Sequence, residues 1–323
     1  MSKLDKKDLK LLEMLDINFK VTNSQIAKEL NLSKQSVEYR IKKLETSGII
    51  LGYYPVINFS KLGFFYVRVM ICLQNISEEE KNNFFKYLKS VKELFWIYHI
   101  AGPYDLGIAF LVKDLQEYKK IMEEIYDKYG KYVQRQEESI LINLFYLSYS
   151  FSQVKSKKLI CVQSSPISKT YELDDVEYKI LKELCNKKRV SIVDISNSLS
   201  LSLKVVSYRL KKMDEDKIIL TYRAIIDYKK LNLDYYKLFF KLSNYSKLKI
   251  KEFKKYLMAH KKVIYLVEAI GISEKIDIEI LVNSNEELLL FIDELRQAFP
   301  NLINSYEIII SREILKTSYF PEK

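Results

Sequence analysis

The stretch TNSQIAKELNLSKQSVEYRIKKL, residues 22–44, predicts two short helices joined by a tight turn. Thr22 followed by Gln25 is typical of a capping box, in which the two side chains satisfy backbone N–H groups at the start of a helix. Asn31-Leu32-Ser33 interrupts the helical pattern, and Ser33 is a good N-cap for the next helix. The stretch therefore predicts a helix-turn-helix.

The second of these helices has an apolar back and a polar front. Val37, Ile41 and Leu44 recur at helical spacing, so they predict a buried face. Long polar side chains opposite that face suit a helix lying in the DNA major groove, and the run at 49–54 predicts a wing strand. We predict that Lys34, Gln35, Ser36, Glu38 and Tyr39 face base edges, and that Arg40, Lys42 and Lys43 contact phosphates. The alternatives are a solvated helix face and, for Arg40, an ion pair with a nearby acid.

The chain contains an internal duplication. Aligning it with itself at an offset of 169 residues gives 22 identities over the 59 positions of 4–62 and 173–231, without a gap. One inserted residue after Gly271 moves the offset to 170, so that Tyr149 aligns with Tyr319. Each copy spans about 150 residues, which is an ordinary size for a small folding unit.

The second copy keeps the helix-turn-helix pattern but changes its outward residues. Leu203 and Val205 stand where the first copy has Lys34 and Ser36, so the two copies are not expected to read the same half-site. Lys217 replaces Gly48 near the wing. The DNA-binding candidates in this copy are Lys204, Ser207, Tyr208, Arg209, Lys211 and Lys212.

After the wing, each copy predicts a β-α-β-β-α-β domain of the ferredoxin-like type. The fold class is thus α+β, a winged helix-turn-helix followed by a ferredoxin-like domain, with the pair occurring twice. The predicted domains are residues 1–60 and 172–229 for the winged helix-turn-helices, 61–151 and 230–323 for the ferredoxin-like domains, and 152–171 for the linker.

Composition restricts the kinds of partner. The formal net charge of +11 and the pI near 9.1 favour a polyanion such as nucleic acid. The sequence shows no transmembrane span or signal peptide, and we expect no membrane partner. Three cysteines without paired or metal-ligand spacing suit a reducing cytoplasm. We expect no metal, no cofactor and no catalytic residue.

The opening LDKKDLKLL, the run SQIAKELNLSKQSVEYRIKKLETSGII and the loop Ala-Gly-Pro-Tyr-Asp-Leu at 101–106 resemble the leucine-responsive regulatory protein (Lrp/AsnC) family of transcription regulators. The resemblance covers both copies. It implies a cytoplasmic, nucleoid-associated prokaryotic regulator whose ferredoxin-like domains (RAM domains) dimerise. Because this chain carries two units, the resemblance implies an intramolecular pseudo-dimer, with further homo-oligomerisation left open.

The resemblance also implies an effector site. Members of the family often bind an amino acid or a similar small molecule, and Gly102, Tyr104 and Asp105 lie where that cleft is expected. Asp105 could pair with an α-amino group, although a loop acid at the start of a strand is more often a turn or cap residue. In the second copy Lys275 aligns with Asp105, which predicts an asymmetric pocket.

Two other functions remain open. Fused proteins of this architecture are similar to sirohaem decarboxylases, enzymes that use histidine and tyrosine around a tetrapyrrole. Here His99 and His260 are the only histidines, and a lone histidine in an aromatic strand is usually a core or interface residue. The third hypothesis is an architectural protein that binds DNA without sequence preference, for which the positive charge would suffice.

Overall fold

The computed structural model describes residues 4–17, 21–151, 159–163, 170–186, 191–243, 246–271 and 275–320. The helices are α1 Lys6–Ile17, α2 Asn23–Leu30, α3 Lys34–Thr46, α4 Glu78–Ser90, α5 Leu115–Tyr129, α6 Asp175–Asn186, α7 Ile192–Leu199, α8 Leu203–Glu215, α9 Lys247–Ala259 and α10 Asn285–Ala298. The strands are β1 Ile50–Ile57, β2 Phe65–Leu73, β3 Leu94–Ala101, β4 Leu106–Val112, β5 Val133–Leu147, β6 Leu159–Gln163, β7 Ile219–Ile226, β8 Asp234–Leu242, β9 Val263–Ile270, β10 Lys275–Val282 and β11 Ile303–Thr317.

Each half begins with a group of three helices, as the sequence predicts, and we call these groups the heads: α1, α2 and α3 in the first half and α6, α7 and α8 in the second. Thr22 and Gln25 make the capping box of α2, and Ser33 caps α3 by accepting from the backbone amide of Ser36. The apolar faces of α1, α2 and α3 pack into one core around Val37, which is fully buried. The second head packs α6, α7 and α8 in the same way.

The wing strands pair with each other rather than within their own heads. β1 of the first half runs antiparallel to β7 of the second half, with Tyr53 opposite Ala224. The sequence predicted each strand correctly, but its partner lies in the other half. The two heads are therefore joined by a shared two-stranded sheet.

The remaining strands form two ferredoxin-like sheets that close on each other. Within the halves the strand orders are β5-β2-β4-β3 and β11-β8-β10-β9. β5 and β11 have fifteen residues each, and each pairs first with its own half and then with the outer strand of the other half. The eight strands thus make a closed barrel with helices outside, which is how the fold realises an intramolecular pseudo-dimer.

Two aligned glycines allow the halves to meet. Gly102 and Gly271 have φ angles of +130° and +102°, which L side chains rarely adopt. A Cβ on Gly102 would lie 2.6 Å from the carbonyl oxygen of Ile308, and one on Gly271 would lie 2.8 Å from that of Glu138. In each case the obstructing backbone belongs to the last strand of the other half.

Buried ion pairs tie the halves together. Arg68 on β2 lies 2.6 Å from the carboxylate of Asp277 on β10, and both side chains are 4% exposed. Arg223 on β7 contacts Asp16 at the end of α1, again at 2.6 Å. Each pair joins the first half to the second.

A strand occupies part of the predicted linker. β6 pairs with the end of β5, with Phe145 opposite Cys161. Residues 152–158 and 164–169 of that linker lie outside the described residues. In the part of the chain that the structure describes, no helix is long and apolar enough to cross a membrane.

Candidate nucleic-acid interface

The recognition helix of the first half is α3, and it presents the face predicted to contact DNA to solvent. Val37, Ile41 and Leu44 are buried against the head, whereas Tyr39 is 70% exposed. The other predicted contacts divide into two groups. Lys34, Gln35, Glu38 and Lys42 are exposed, and Ser36, Arg40 and Lys43 are partly buried.

The recognition helix of the second half, α8, also presents a row of exposed side chains to solvent, but these differ in chemistry from those of α3. We call the exposed row on each of these two helices its ridge. Tyr208 is 63% exposed, and Lys204, Ser207 and Lys211 also face solvent. Lys212 is partly buried, with its ammonium 5.9 Å from the centre of the Tyr171 ring.

Four apolar side chains lie exposed at the starts of α7 and α8. The polar-to-apolar change in α8 was expected from the sequence, whereas the matching change in α7, where Asn23 and Ser24 of the first half align with apolar residues, was not. The alignment of the halves was the signal that could have found it. The exposed fractions are 41% for Ile192, 52% for Val193, 49% for Leu203 and 39% for Val205.

Arg40 is engaged inside its own head. Its guanidinium lies 2.8 Å from Asp5 and 2.5 Å from Asp8, and the Asp8 side chain is only 3% exposed. The ion pair that the sequence analysis placed second to a phosphate contact is therefore present. Only 21% of the Arg40 side chain is exposed, which leaves little of it for DNA.

Arg209 repeats this arrangement in the second half. It contacts Asp174 at 2.6 Å and Glu177 at 3.2 Å. The pKa of the Asp174 carboxyl is lowered, chiefly by the hydrogen bond that the Glu177 backbone amide donates to it and also by the charge of Arg209. The arginine that recurs at aligned positions, Arg40 and Arg209, thus forms an ion pair with acids of its own head in both halves.

The predicted effector residues are held in structural contacts. Tyr104 is 2% exposed, and its hydroxyl donates to Glu307 of the second half at 3.3 Å. Asp105 accepts a hydrogen bond from the backbone amide of Leu73 at the end of β2 at 2.7 Å, which is a contact between distant segments and not a local turn or cap bond. Gly102 makes the close approach to β11 described above. The side chain of Lys275 lies outside the described residues.

His99 borders a cavity of about 390 Å³ between α4, β3 and β11. Its ring centre lies 5.6 Å from that of Phe85. Desolvation lowers the pKa of the imidazole, and the charges of Lys81 and Arg312 lower it further. This cavity could not be expected from local sequence, because Glu313 and Leu315 reach it from the other half.

The aligned place in the second half holds an ion pair. Glu268 corresponds to His99, and its carboxylate contacts Lys254 and accepts a hydrogen bond from Asn143 at 2.6 Å. Both positions use the same register, His99 opposite Glu313 and Glu268 opposite Asn143. The other histidine, His260, lies in the second half, 3.5 Å from Glu294.

Comparison with known proteins identifies both heads as winged helix-turn-helix domains. A family model described as winged helix-turn-helix DNA-binding matches residues 4–50 and 173–219. The HTH-type transcriptional regulator Ptr1 of Methanocaldococcus jannaschii is 34% identical over 122 residues, 38% of this chain and 80% of that protein. The leucine-responsive regulatory protein of Haemophilus influenzae is 29% identical over 120 residues, 37% of this chain and 72% of that protein.

One similar solved structure extends over both halves. The siroheme decarboxylase NirDL has a TM-score of 0.61 and 13% identity, covering 97% of this chain and 93% of that chain. Identity at this level shows a shared fold. The matches to single-unit regulators, the two matched heads and the doubled architecture agree. The chain belongs to the Lrp/AsnC family of DNA-binding transcription regulators, in a tandem-duplicated form.

Proposed function

We propose that the chain is a sequence-specific regulator that binds an asymmetric operator in double-stranded DNA through α3 and α8. The observation that carries this proposal is the pair of exposed ridges, which occupy aligned positions but differ in chemistry. Two identical recognition helices would read a palindromic site. Two different helices in one chain read two different half-sites.

The first ridge carries hydrogen-bonding groups. Lysine can donate to the major-groove acceptors of guanine, glutamine can bond adenine at N6 and N7, and glutamate can accept from the amino group of cytosine. Lys34, Gln35 and Glu38 are exposed and carry these groups. We assign base recognition in this half-site to them, with Ser36 and Tyr39 beside them.

The second ridge favours thymine. Leu203 and Val205 replace polar residues and are 49% and 39% exposed, so apolar surface that burial would stabilise is left in water. The major groove presents one apolar group, the thymine methyl, and side chains such as these can pack on it. We therefore assign a thymine-rich half-site to α8, with Lys204, Ser207 and Tyr208 as its polar contacts.

Lysines supply the phosphate contacts in this proposal. Lys42 is exposed, and Lys43 follows it at the edge of the helix. In the second half Lys211 lies 3.6 Å from Glu215, but both side chains are largely exposed, so the pair costs little to break. Lys212 completes the set. Arg40 and Arg209 are assigned to their ion pairs instead.

The proposal places the protein on chromosomal DNA, in association with the nucleoid. An amino-acid effector stays a prediction from the family resemblance, because Tyr104 and Asp105 already have intramolecular hydrogen-bond partners.

The test is selection of the preferred duplex from a random pool, followed by binding measurements with two double variants. Lys34→Ala with Gln35→Ala should lose about 1–3 kcal/mol of discrimination for each base pair that it reads in one half-site. Leu203→Ala with Val205→Ala should lose its thymine preference in the other half-site. Lys42→Ala is the control, and it should weaken selected and random duplexes alike.

Three outcomes would contradict the proposal. Selection of a palindrome would remove the asymmetry. Equal loss on selected and random DNA by all variants would favour an architectural protein. A red-shifted absorbance on adding sirohaem would favour the enzyme hypothesis.

A further inference from the structure

Helix α9 of the second ferredoxin-like domain carries an unusual number of lysines on its solvent side. Residues 247–261 contain six lysines and one glutamate, whereas the aligned residues 78–92 contain four lysines and three glutamates. The difference is greatest in the first turn. There α4 has Glu78, Glu79 and Glu80, and α9 has Lys247, Leu248 and Lys249.

The placement of these lysines lowers the stability of α9. The N-terminus of a helix carries partial positive charge, so acids stabilise the first turn and lysines destabilise it. Lys247, Lys251 and Lys255 follow one another at intervals of four residues, and like charges at this spacing repel. Folding alone therefore does not explain the lysines, since α4 shows that acids suit the same position.

The lysines of this region fall into two groups. Lys254 contacts Glu268, and Lys262 contacts Glu287 at 3.1 Å, so both are held by acids of neighbouring elements. The second group faces solvent and has no carboxylate within ion-pair distance among the described residues. Its members are Lys247, Lys249, Lys251, Lys255 and Lys261, and we define the three that lie along one side of the helix, Lys247, Lys251 and Lys255, as the α9 lysine face.

We propose that the α9 lysine face binds the phosphate backbone of duplex DNA, outside the two recognition helices. The inference rests on the proposed function, because it takes the same duplex as its partner. From Lys247 to Lys255 the row spans roughly 12 Å at 1.5 Å per residue. A duplex presents one negative charge per about 1.7 Å of its axis, so such a row can face several phosphates.

Lysine contacts of this kind position DNA without reading sequence. The face therefore adds affinity that is equal for every duplex and sensitive to salt. An anionic membrane is the competing partner, but a membrane-surface helix needs an accessible apolar face. The apolar face of α9 is buried through Ile250, Phe253 and Leu257, and Leu248 is its one exposed large apolar side chain.

The experiment compares two triple variants of the full chain. In the first, Lys247→Gln, Lys251→Gln and Lys255→Gln remove three charges from the α9 lysine face. In the matched control, Lys86→Gln, Lys119→Gln and Lys120→Gln remove three exposed lysines from the helices of the first half. Both lower the net charge equally. Thermal unfolding verifies that both variants fold.

Binding to a random-sequence duplex is measured across a salt series. Each phosphate contact contributes about 0.9 to the slope of log affinity against log salt concentration. The α9 variant should lower the steepness of that slope by about two to three, with equal loss of affinity for operator and random DNA. The control should keep the wild-type slope to within about one.

Equal slopes for the α9 variant and the control would overturn the inference while leaving the operator proposal intact. The operator proposal fails separately, if the Lys34→Ala and Gln35→Ala double variant keeps full sequence preference. Binding to phosphatidylserine vesicles that the α9 variant loses, with duplex binding unchanged, would also overturn the inference and identify a membrane surface instead.

Discussion

The barrel interior distributes its charges unequally between the two halves of the chain, although their strands follow the same order. Arg68 in the first half aligns with Lys237 in the second, so both halves place a cation inside. The acids that contact these two cations both lie in the second half. Asp277 contacts Arg68 and Glu279 contacts Lys237, while Gly107 and Ala109 stand at the aligned positions of the first half.

This difference shows what duplication permits. In a symmetric dimer every residue appears twice, so a buried cation needs an acid that the same half also supplies. Two first halves would bury Arg68 twice, with Gly107 at the position where the second half has Asp277. In one chain, each half can be complementary to the other instead of to itself, and the interior then favours the pairing that is observed.

The largest predicted effect on stability comes from breaking the buried ion pair between Arg68 and Asp277. Arg68→Ala leaves the Asp277 carboxylate buried and uncompensated, and we expect a loss of about 3–5 kcal/mol in the free energy of unfolding. Chemical denaturation measures it. As a control, Arg68→Met combined with Asp277→Leu removes both charges and should recover most of the loss. A loss below about 1 kcal/mol for Arg68→Ala would contradict the complementarity.

An intermediate effect on stability is predicted for the arginine ion pair that both heads share. Arg40→Ala and Arg209→Ala should each lower the free energy of unfolding by about 1–2 kcal/mol, because each leaves a nearly buried acid, Asp8 or Glu177, without its partner. Lys42→Ala should lower DNA affinity and leave unfolding unchanged. Unchanged stability in the arginine variants, together with a uniform loss of DNA affinity, would restore the phosphate assignment.

The smallest predicted effect concerns the pH dependence of stability at His99, which aligns with Glu268 in the second half. Burial lowers the pKa of His99, so below an ordinary histidine pKa of about 6.5 the unfolded chain binds more protons than the folded chain. The contribution of His99 should therefore reduce stability as the pH falls from about 7 to 5. His99→Gln should weaken that pH dependence, measured as unfolding midpoints against pH. An identical pH profile would contradict it.

Much of the local structure could be read from sequence because it depends on neighbouring residues. The capping box at Thr22 and Gln25, and the buried stripe through Val37, are both present where the pattern predicts them. The exposed ridge of α3 follows from that stripe, because burying one face of a helix turns the opposite face to solvent. The succession of helices and strands along each half is likewise a property of consecutive segments, each with its own periodicity.

Other features depend on residues far apart in the chain. The partner of β1 lies about 170 residues away, and the acid that neutralises Arg223 lies 207 residues away. No local pattern distinguishes a strand that completes its own domain from one that pairs with the other half. The ion pairs of Arg40 were likewise undecided, since Asp5 and Asp8 reach it only when α1 packs on α3.

The sequence alone determined the duplication, the two helix-turn-helix heads and the different chemistry of their ridges, because identity, periodicity and capping are properties of short segments. The tertiary structure decided how the halves join: the shared β1–β7 sheet, the closed barrel and the buried charges inside it. These are long-range pairings, and their free energy exists only after both halves have folded against each other.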